Sequence, residues 1–296
     1  MKKQVIKNRV TLESFQGFVN YLRAKKQTFD IITTGYSKRI IWKEKEFSYL
    51  TEDSSPFAFV CHRAMKKDIL DSGVTLGAAP RYSVQYYGVN EYVRNADVLP
   101  ETVLNIDINS AYLTALKKMG VITAKTFEYV NRADKETRLK ACGMLAMMKI
   151  KIRFTEGAPQ PILKEDMIND ALTTNAYLSA CNEVGNAMHR VLENAGRDFL
   201  FFWVDGIYLK TTVRAESVIN ILKDEGFESK FKYLFNCSFE TSGKTLYFSH
   251  SVDQVKRKRF SIPFTDEEER KKLNNYIKTL TINERQFCIE NYQSRS

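Results

Sequence analysis

The stretch Phe199-Leu200-Phe201-Phe202-Trp203-Val204-Asp205-Gly206-Ile207-Tyr208-Leu209-Lys210 sets two apolar β-type runs around an Asp-Gly pair. An Asp-Gly pair between such runs is the strongest short hairpin signal in a sequence. The pattern predicts a strand from Phe199 to Val204, a turn at Asp205-Gly206 and a return strand from Ile207 to Lys210. Before it, Ala180, Cys181, Val184, Ala187, Met188, Val191 and Leu192 recur at helical spacing until Gly196. They predict a long helix, opened by Thr173 or Thr174, whose single apolar face packs on a sheet. After the hairpin, a helix from Ala215 to Glu225 should stop at Gly226, with strands from Phe231 to Glu240 and Thr245 to Ser249.

Further upstream, Val103-Leu104-Asn105-Ile106 reads as a buried strand ending at Asp107, followed by a helix from Ser110 to Met119 closed by Gly120. Asn131 or Asp134 can open another helix running to Met147. The first 97 residues are mixed. Leu12 to Lys25 has helical spacing (Phe15, Phe18, Val19, Leu22), and Ile31–Thr34 and Ile40–Trp42 look like short strands. Loop signals fall at Thr51–Pro56 and Gly77–Pro80, and nothing catalytic stands out there. The fold class expected is α+β.

The chain has 296 residues, with 45 Lys plus Arg against 35 Asp plus Glu, a formal charge of +10. With 44% hydrophobic residues and only 13 Gly and 6 Pro, it excludes collagen-like, mucin-like and largely disordered chains. No apolar run approaches the roughly 18 residues that cross a bilayer. Met1-Lys2-Lys3-Gln4-Val5-Ile6-Lys7 does not lead into an apolar signal core, so no membrane association and a cytoplasmic location are expected. Cys61, Cys142, Cys181, Cys237 and Cys288 are odd in number and never C-x-x-C, and His62, His189 and His250 are scattered. Neither a disulfide framework nor a zinc site is expected from them. Lys256-Arg257-Lys258-Arg259 is the densest cationic run, and 15 Tyr and 19 Phe are spread through the chain. Cations with interleaved aromatics suit phosphate contact and base stacking, though a short basic run also fits a solvated loop.

Asp107 at a strand end and Asp205 in a hairpin turn can converge on one sheet edge if their strands are neighbours. Such a pair is a hard, oxygen-rich site for Mg²⁺, which commonly takes one or two carboxylates and completes its shell with water and phosphate. The plainer alternative is that Asp107 caps the following helix and Asp205 supplies a turn residue. Arg132, Lys135 and Arg138, at i, i+3 and i+6, would form one cationic ridge on a helix, suited either to phosphates or to pairing with Asp134 and Glu136.

Four strings in order resemble family B DNA polymerases, in particular the protein-primed branch. Asp107-Ile108-Asn109-Ser110-Ala111-Tyr112 is similar to motif A, D-x-x-S-L-Y-P. Val204-Asp205-Gly206-Ile207-Tyr208-Leu209 is similar to motif C, Y-x-D-T-D-S-I-Y, with Asp205 on the second, metal-binding aspartate. Lys135 to Gly143 keeps the Lys-to-Gly spacing of motif B, K-x-x-x-N-S-x-Y-G, and Lys256-Arg257-Lys258-Arg259-Phe260 resembles the primer-gripping K-K-x-Y element. The resemblance covers about residues 98–262. It implies a polymerase palm, a ferredoxin-like antiparallel sheet with helices on one face, carrying a short fingers insertion at 113–148. Residues 263–296 would be a short helical thumb-like segment, and residues 1–97 a small mixed N-terminal region.

The same resemblance implies that Asp107 and Asp205 are catalytic and bind two Mg²⁺ or Mn²⁺ ions, with the Ile108 carbonyl completing the shell. Ser110, Tyr112, Lys135, Arg138 and Arg132 would meet the incoming nucleotide, Tyr112 as a steric gate against a 2′-hydroxyl. Lys256, Lys258, Arg259 and Phe260 would hold the primer. DNA primer-template and dNTPs are the implied partners, with a terminal protein or other replication subunits in addition, and a phage or mobile-element origin fits family habit. The chain departs from the pattern at Trp203, Gly206, Leu113 and Leu139-Lys140-Ala141-Cys142, and shows no D-x-E exonuclease start. These departures imply low fidelity and processivity. They also leave a second function open, a catalytically degenerate palm serving as a nucleic-acid-binding replication scaffold.

Overall fold

A computed structural model describes residues 5–6, 12–50, 55–73, 76, 79, 81–94, 99–168, 170–251, 257–264 and 266–279. In chain order these form β1 (Val5–Ile6), α1 (Leu12–Ala24), β2 (Phe29–Thr33), β3 (Ser37–Trp42), β4 (Lys45–Leu50) and α2 (Pro56–Asp71). Next come β5 (Tyr87–Val89), α3 (Glu91–Arg94), β6 (Val103–Ile108), α4 (Ala111–Lys118) and α5 (Ala124–Asn131). Then follow α6 (Lys135–Gly143), β7 (Lys149–Thr155), β8 (Ala158–Pro159), β9 (Met167–Ile168) and α7 (Ala171–Ala195). The last are β10 (Phe199–Trp203), β11 (Gly206–Lys210), α8 (Ala215–Asp224), β12 (Ser229–Leu234), β13 (Ser238–Ser242), β14 (Thr245–Ser251), β15 (Arg257–Pro263) and α9 (Glu267–Thr279). The chain is thus mixed α+β with largely antiparallel sheets. Among the described residues no helix is long and apolar enough to cross a membrane.

Two compact units divide the chain, Met1–Lys67 with Asp134–Thr174, and Asp68–Ala133 with Asn175–Ser296. They cut across the sequence-based divisions at 97/98 and 262/263. In the first unit the strands run β1-β4-β3-β2-β7-β8, with β9 also on β7. Period-2 alternation in Phe29-Asp30-Ile31 sends Phe29 and Ile31 to one face, where they meet Ile40, Tyr49 and Phe154. α1 covers that face with Phe15, Val19 and Leu22, which its helical period brings onto one side. The opposite face carries the part-exposed ion pairs Asp30–Lys151 (2.9 Å) and Arg39–Glu46 (3.1 Å). Gly157 is required where β7 turns into β8, because its φ is +79° and a Cβ there would sit 2.5 Å from the Arg23 carbonyl oxygen.

The second unit holds a five-stranded antiparallel sheet of order β12-β6-β11-β10-β5 and a three-stranded sheet β13-β14-β15. Leu104, Ile106, Ile108, Ile207, Leu209 and Phe202 alternate onto one face of the larger sheet and are buried. His189 of α7 lies edge-on to Phe202 there, at 5.3 Å between ring centroids. On the other face Phe201 and Tyr208 stack at 4.2 Å and meet Phe248 of the smaller sheet at 5.0 and 5.5 Å. That second layer forms one core with Val103, Leu234, Leu246 and Ile262.

Several sequence expectations shift. The predicted strand from Phe231 to Glu240 is two strands in different sheets, β12 and β13. Asp170, rather than Thr173 or Thr174, opens α7, since its Oδ1 accepts from the Thr173 N–H at 3.3 Å. The predicted single ridge is broken as well. Arg132 is the C-cap of α5, and Asp134, in extended conformation, caps α6 by accepting from the Thr137 N–H at 2.9 Å. Arg132 therefore lies on a different helix, and in a different unit, from Lys135 and Arg138.

Candidate active site

β6 and β11 are neighbours, and their register puts Asp107 opposite Gly206. The hairpin turn is Val204-Asp205 rather than Asp205-Gly206, since Trp203 pairs with Gly206. Val204 has φ 58°, a left-handed conformation costly for a β-branched residue, while Asp205 does not. The Ile108 N–H donates to the Asp205 carbonyl oxygen at 2.9 Å, and the Val204 N–H to the Tyr86 carbonyl oxygen at 2.6 Å. The turn is thereby bonded both to the strand that carries Asp107 and to the backbone just before β5. Because Ile108 and Asp205 are hydrogen-bonded partners, Asp107 and Gly206 form the more closely spaced kind of pair. Gly206 leaves room there, since a Cβ would meet the Tyr208 ring at 3.4 Å and Asn105 Nδ2 at 3.5 Å.

Tyr208 reports on both carboxylates. Its hydroxyl pKa is raised, first by burial and then by the charges of Asp107 and Asp205. Two carboxylates whose fields reach one buried hydroxyl share a neighbourhood. Asp107 Oδ2 also lies 3.8 Å from Lys230 Nζ, from the facing position on β12. Asp107 is a quarter exposed, whereas Lys230 is 71% exposed, so the pair is weak and open to exchange with other cations.

Ser110 stands between β6 and α4 in left-handed conformation (φ 48°, ψ 42°), and its hydroxyl donates to Asn131 Oδ1 at 2.7 Å. Tyr112, on the first turn of α4, is 7% exposed and lies 5.7 Å from the Tyr177 ring. Burial raises its hydroxyl pKa most, with Cys181, Tyr177, Asp205 and Tyr86 adding to the shift. Tyr112 is therefore a wall of the same neighbourhood.

The cationic run divides by strand alternation. Lys258 and Phe260 share the face of β15 that looks toward the larger sheet, and Phe260 lies 6.4 Å from Trp203 and 6.2 Å from Tyr208. Arg259 takes the opposite face, 3.6 Å from Glu240 and over the Tyr247 ring, and so is not brought to the aspartates. Lys256 lies outside the described residues. Lys135 and Arg138 belong to the first unit, and Arg132 to the second.

Lys230, Lys232 and His250 join the site without having stood out in the sequence, whereas Tyr208 belongs to the string that resembles motif C. Lys230 and Lys232 alternate with Phe231 and Tyr233 along β12, a period-2 signal that the sequence does carry. His250, paired with Lys258 across β14 and β15, has a pKa lowered by burial, against its backbone hydrogen bond to Ser251, and further by Lys232 and Lys258. Lys232 and Lys258 thus flank one histidine, on the side of the sheet that bears Asp107.

No protein-family model matches the chain, and no curated protein matches it. Among the described residues, no group of three or more His, Cys, Asp or Glu is placed to hold a metal ion. Asp107 on β6 and Asp205 in the neighbouring turn, with the Ile108 peptide bonded to that turn, offer a smaller all-oxygen set. It fits Mg²⁺ or Mn²⁺ where substrate phosphate and water supply the other ligands. The described cysteines Cys61, Cys142, Cys181 and Cys237 are buried, and none of them is in a disulfide with another described residue.

Proposed function

We propose that the chain is a metal-dependent nucleotidyltransferase of the family B polymerase palm type, extending a DNA primer, or a protein hydroxyl, with dNTPs. The observation that carries this reading is Asp107 on β6 beside the turn that holds Asp205, the two joined by the Ile108 N–H bond to the Asp205 carbonyl oxygen, with both charges felt at Tyr208. Asp107 and Asp205 would hold two Mg²⁺ or Mn²⁺ ions, with the Ile108 carbonyl as a further ligand. Such ions lower the pKa of an attacking hydroxyl and neutralise charge on the transferring phosphate.

The protein's own part is positioning and electrostatics, which supply most of the rate in phosphoryl transfer. Tyr112 bounds the sugar site. The exposed side chains of Lys232 on β12 and Lys258 on β15 flank His250, where a nucleic-acid backbone would run, and Phe260 buttresses Trp203 at the hairpin tip. Lys230 faces Asp107 only weakly in the free protein and would give way to a metal ion.

The test is incorporation of labelled dNTP on a primed template with Mg²⁺ or Mn²⁺. Asp107→Asn and Asp205→Asn should each lower it by at least about 10²-fold while DNA binding and folding persist. Incorporation at the wild-type level in either variant refutes the reading. The Lys230–Asp107 contact favours a second function, a degenerate palm that binds nucleic acid as a replication scaffold, because a side-chain cation already faces one carboxylate. That reading predicts salt-sensitive DNA binding with no metal-dependent turnover.

A further inference from the structure

The segment Val84–Tyr87 precedes and begins β5, in a part of the chain where the sequence offered no functional signal. It is held from two directions, both within the second unit. From α7, the row Tyr177, Cys181, Gly185 and His189 recurs every four residues and so lies along one side of the helix. His189 Nε2–H donates to the Val84 carbonyl oxygen at 3.1 Å, and the Gln85 amide bonds the Asn182 side chain. At Gly185 the backbones nearly touch, since a Cβ there would lie 3.0 Å from Gln85 Cα. The Tyr86 and Tyr177 hydroxyls come within reach of the Cys181 thiol, and the Tyr86 hydroxyl also within reach of Arg81. From the hairpin, the Tyr86 carbonyl oxygen accepts the Val204 N–H, and Tyr87 pairs and stacks with Trp203 at 5.9 Å.

We infer that Val84–Tyr87 is a brace that fixes the Asp205 turn against α7, with Tyr86 and Cys181 as positioning residues for the proposed nucleotidyl transfer. The brace deepens the polymerase reading and rests on it for its catalytic consequence. Val204 supplies the reason a brace is needed. A valine held at φ 58° stores strain that the turn sheds unless its neighbours hold it. The Val204 N–H bond to Tyr86 is the restraint nearest to that strain, and the Tyr86 ring is keyed to α7 through Cys181. Tyr112, packed on Tyr177, draws its surroundings from the same cluster, so one network sets the aspartate turn and the wall beside it.

The test compares full-length wild type with Tyr86→Phe, Cys181→Ala, Cys181→Ser and Gly185→Ala. The readouts are thermal midpoint, hydrogen exchange at the Val204 amide, and kcat and KM for dNTP incorporation. Tyr86→Phe and Cys181→Ala should melt close to wild type, yet exchange at Val204 about five- to tenfold faster, as loss of one buried hydrogen bond allows. Their kcat should fall by a similar factor with KM for dNTP held, and Cys181→Ser, which keeps a hydrogen-bonding group, should recover most of both. Gly185→Ala should show the larger effect, and if it does not fold the other variants carry the test. Wild-type Val204 exchange in both Tyr86→Phe and Cys181→Ala overturns the brace, as does a change in KM alone. If wild type incorporates no nucleotide the polymerase reading fails, and Val204 exchange still decides whether the segment braces the turn.

Discussion

Acidification should destabilise the second unit through His189, by an amount that follows from its surroundings. The ring is 2% exposed, stacked edge-on to Phe202, and its Nε2–H is committed to the Val84 carbonyl. Burial pulls its pKa from 6.5 down to about 4; the Val84 bond and Glu267 oppose the shift, and Arg270 adds to it. A folded-state pKa below the unfolded one means that the unfolded chain binds the proton first. The stability is therefore full above pH 6.5 and is lost as pH falls toward 4. The complete loss corresponds to about 3 kcal/mol, of which about 2 kcal/mol is gone by pH 5. His62 and His250, also lowered chiefly by burial, act in the same direction, so a single-site comparison is needed. Urea unfolding at pH 7.5 and pH 5 should show wild type losing about 2 kcal/mol more than His189→Gln, which retains a donor for Val84 but does not titrate. Equal losses in the two proteins would refute the argument.

Two further outcomes follow from individual side chains. Gly157→Ala should destabilise the first unit by about 1–2 kcal/mol or more, measured by urea midpoint, because it combines a positive φ with a 2.5 Å approach to Arg23; an unchanged midpoint contradicts it. Replacing Lys232 and Lys258 together by alanine should flatten the dependence of log K on log salt for primed DNA by about 2, one unit for each phosphate left without its cation, whereas a slope equal to wild type would place the nucleic acid elsewhere.

The elements legible in the sequence were those whose signal is local. α1, β2, β3, β6, α4, α8 and β14 lie within a few residues of their expected positions, because each carries its own apolar period and punctuation. The N-terminal region shows where local signals stop. β5 is three residues long and earns its place only by pairing with β10, so nothing in Tyr87-Gly88-Val89 announces it. The same holds for Tyr86, whose importance depends on α7 and on Val204, each about a hundred residues distant. The broken ridge at Arg132, Lys135 and Arg138 has a different cause, since Asp134 was legible as a cap and the helical spacing was extended across it. A cap in extended conformation ends the reach of any i, i+3 argument.

The hairpin itself shows how tertiary packing overrides the best local rule. A turn centred on Asp205-Gly206 would slide β11 by two residues along β10 and set Phe201 against Lys210. In the observed register Phe201 faces Tyr208 and Phe202 faces Ile207. Every one of those four side chains is buried, so the sheet places two aromatic-rich layers where the Asp-Gly turn would have brought an ammonium group against a phenyl ring. The cost is moved to Val204, which accepts a left-handed backbone in place of glycine. The gain is positional: Gly206 becomes the strand residue opposite Asp107, and Asp205 takes the second turn position, with its carbonyl bonded to Ile108. The one-residue shift of the turn that the hydrophobic layers demand thus also bonds the turn that carries Asp205 to the strand that carries Asp107.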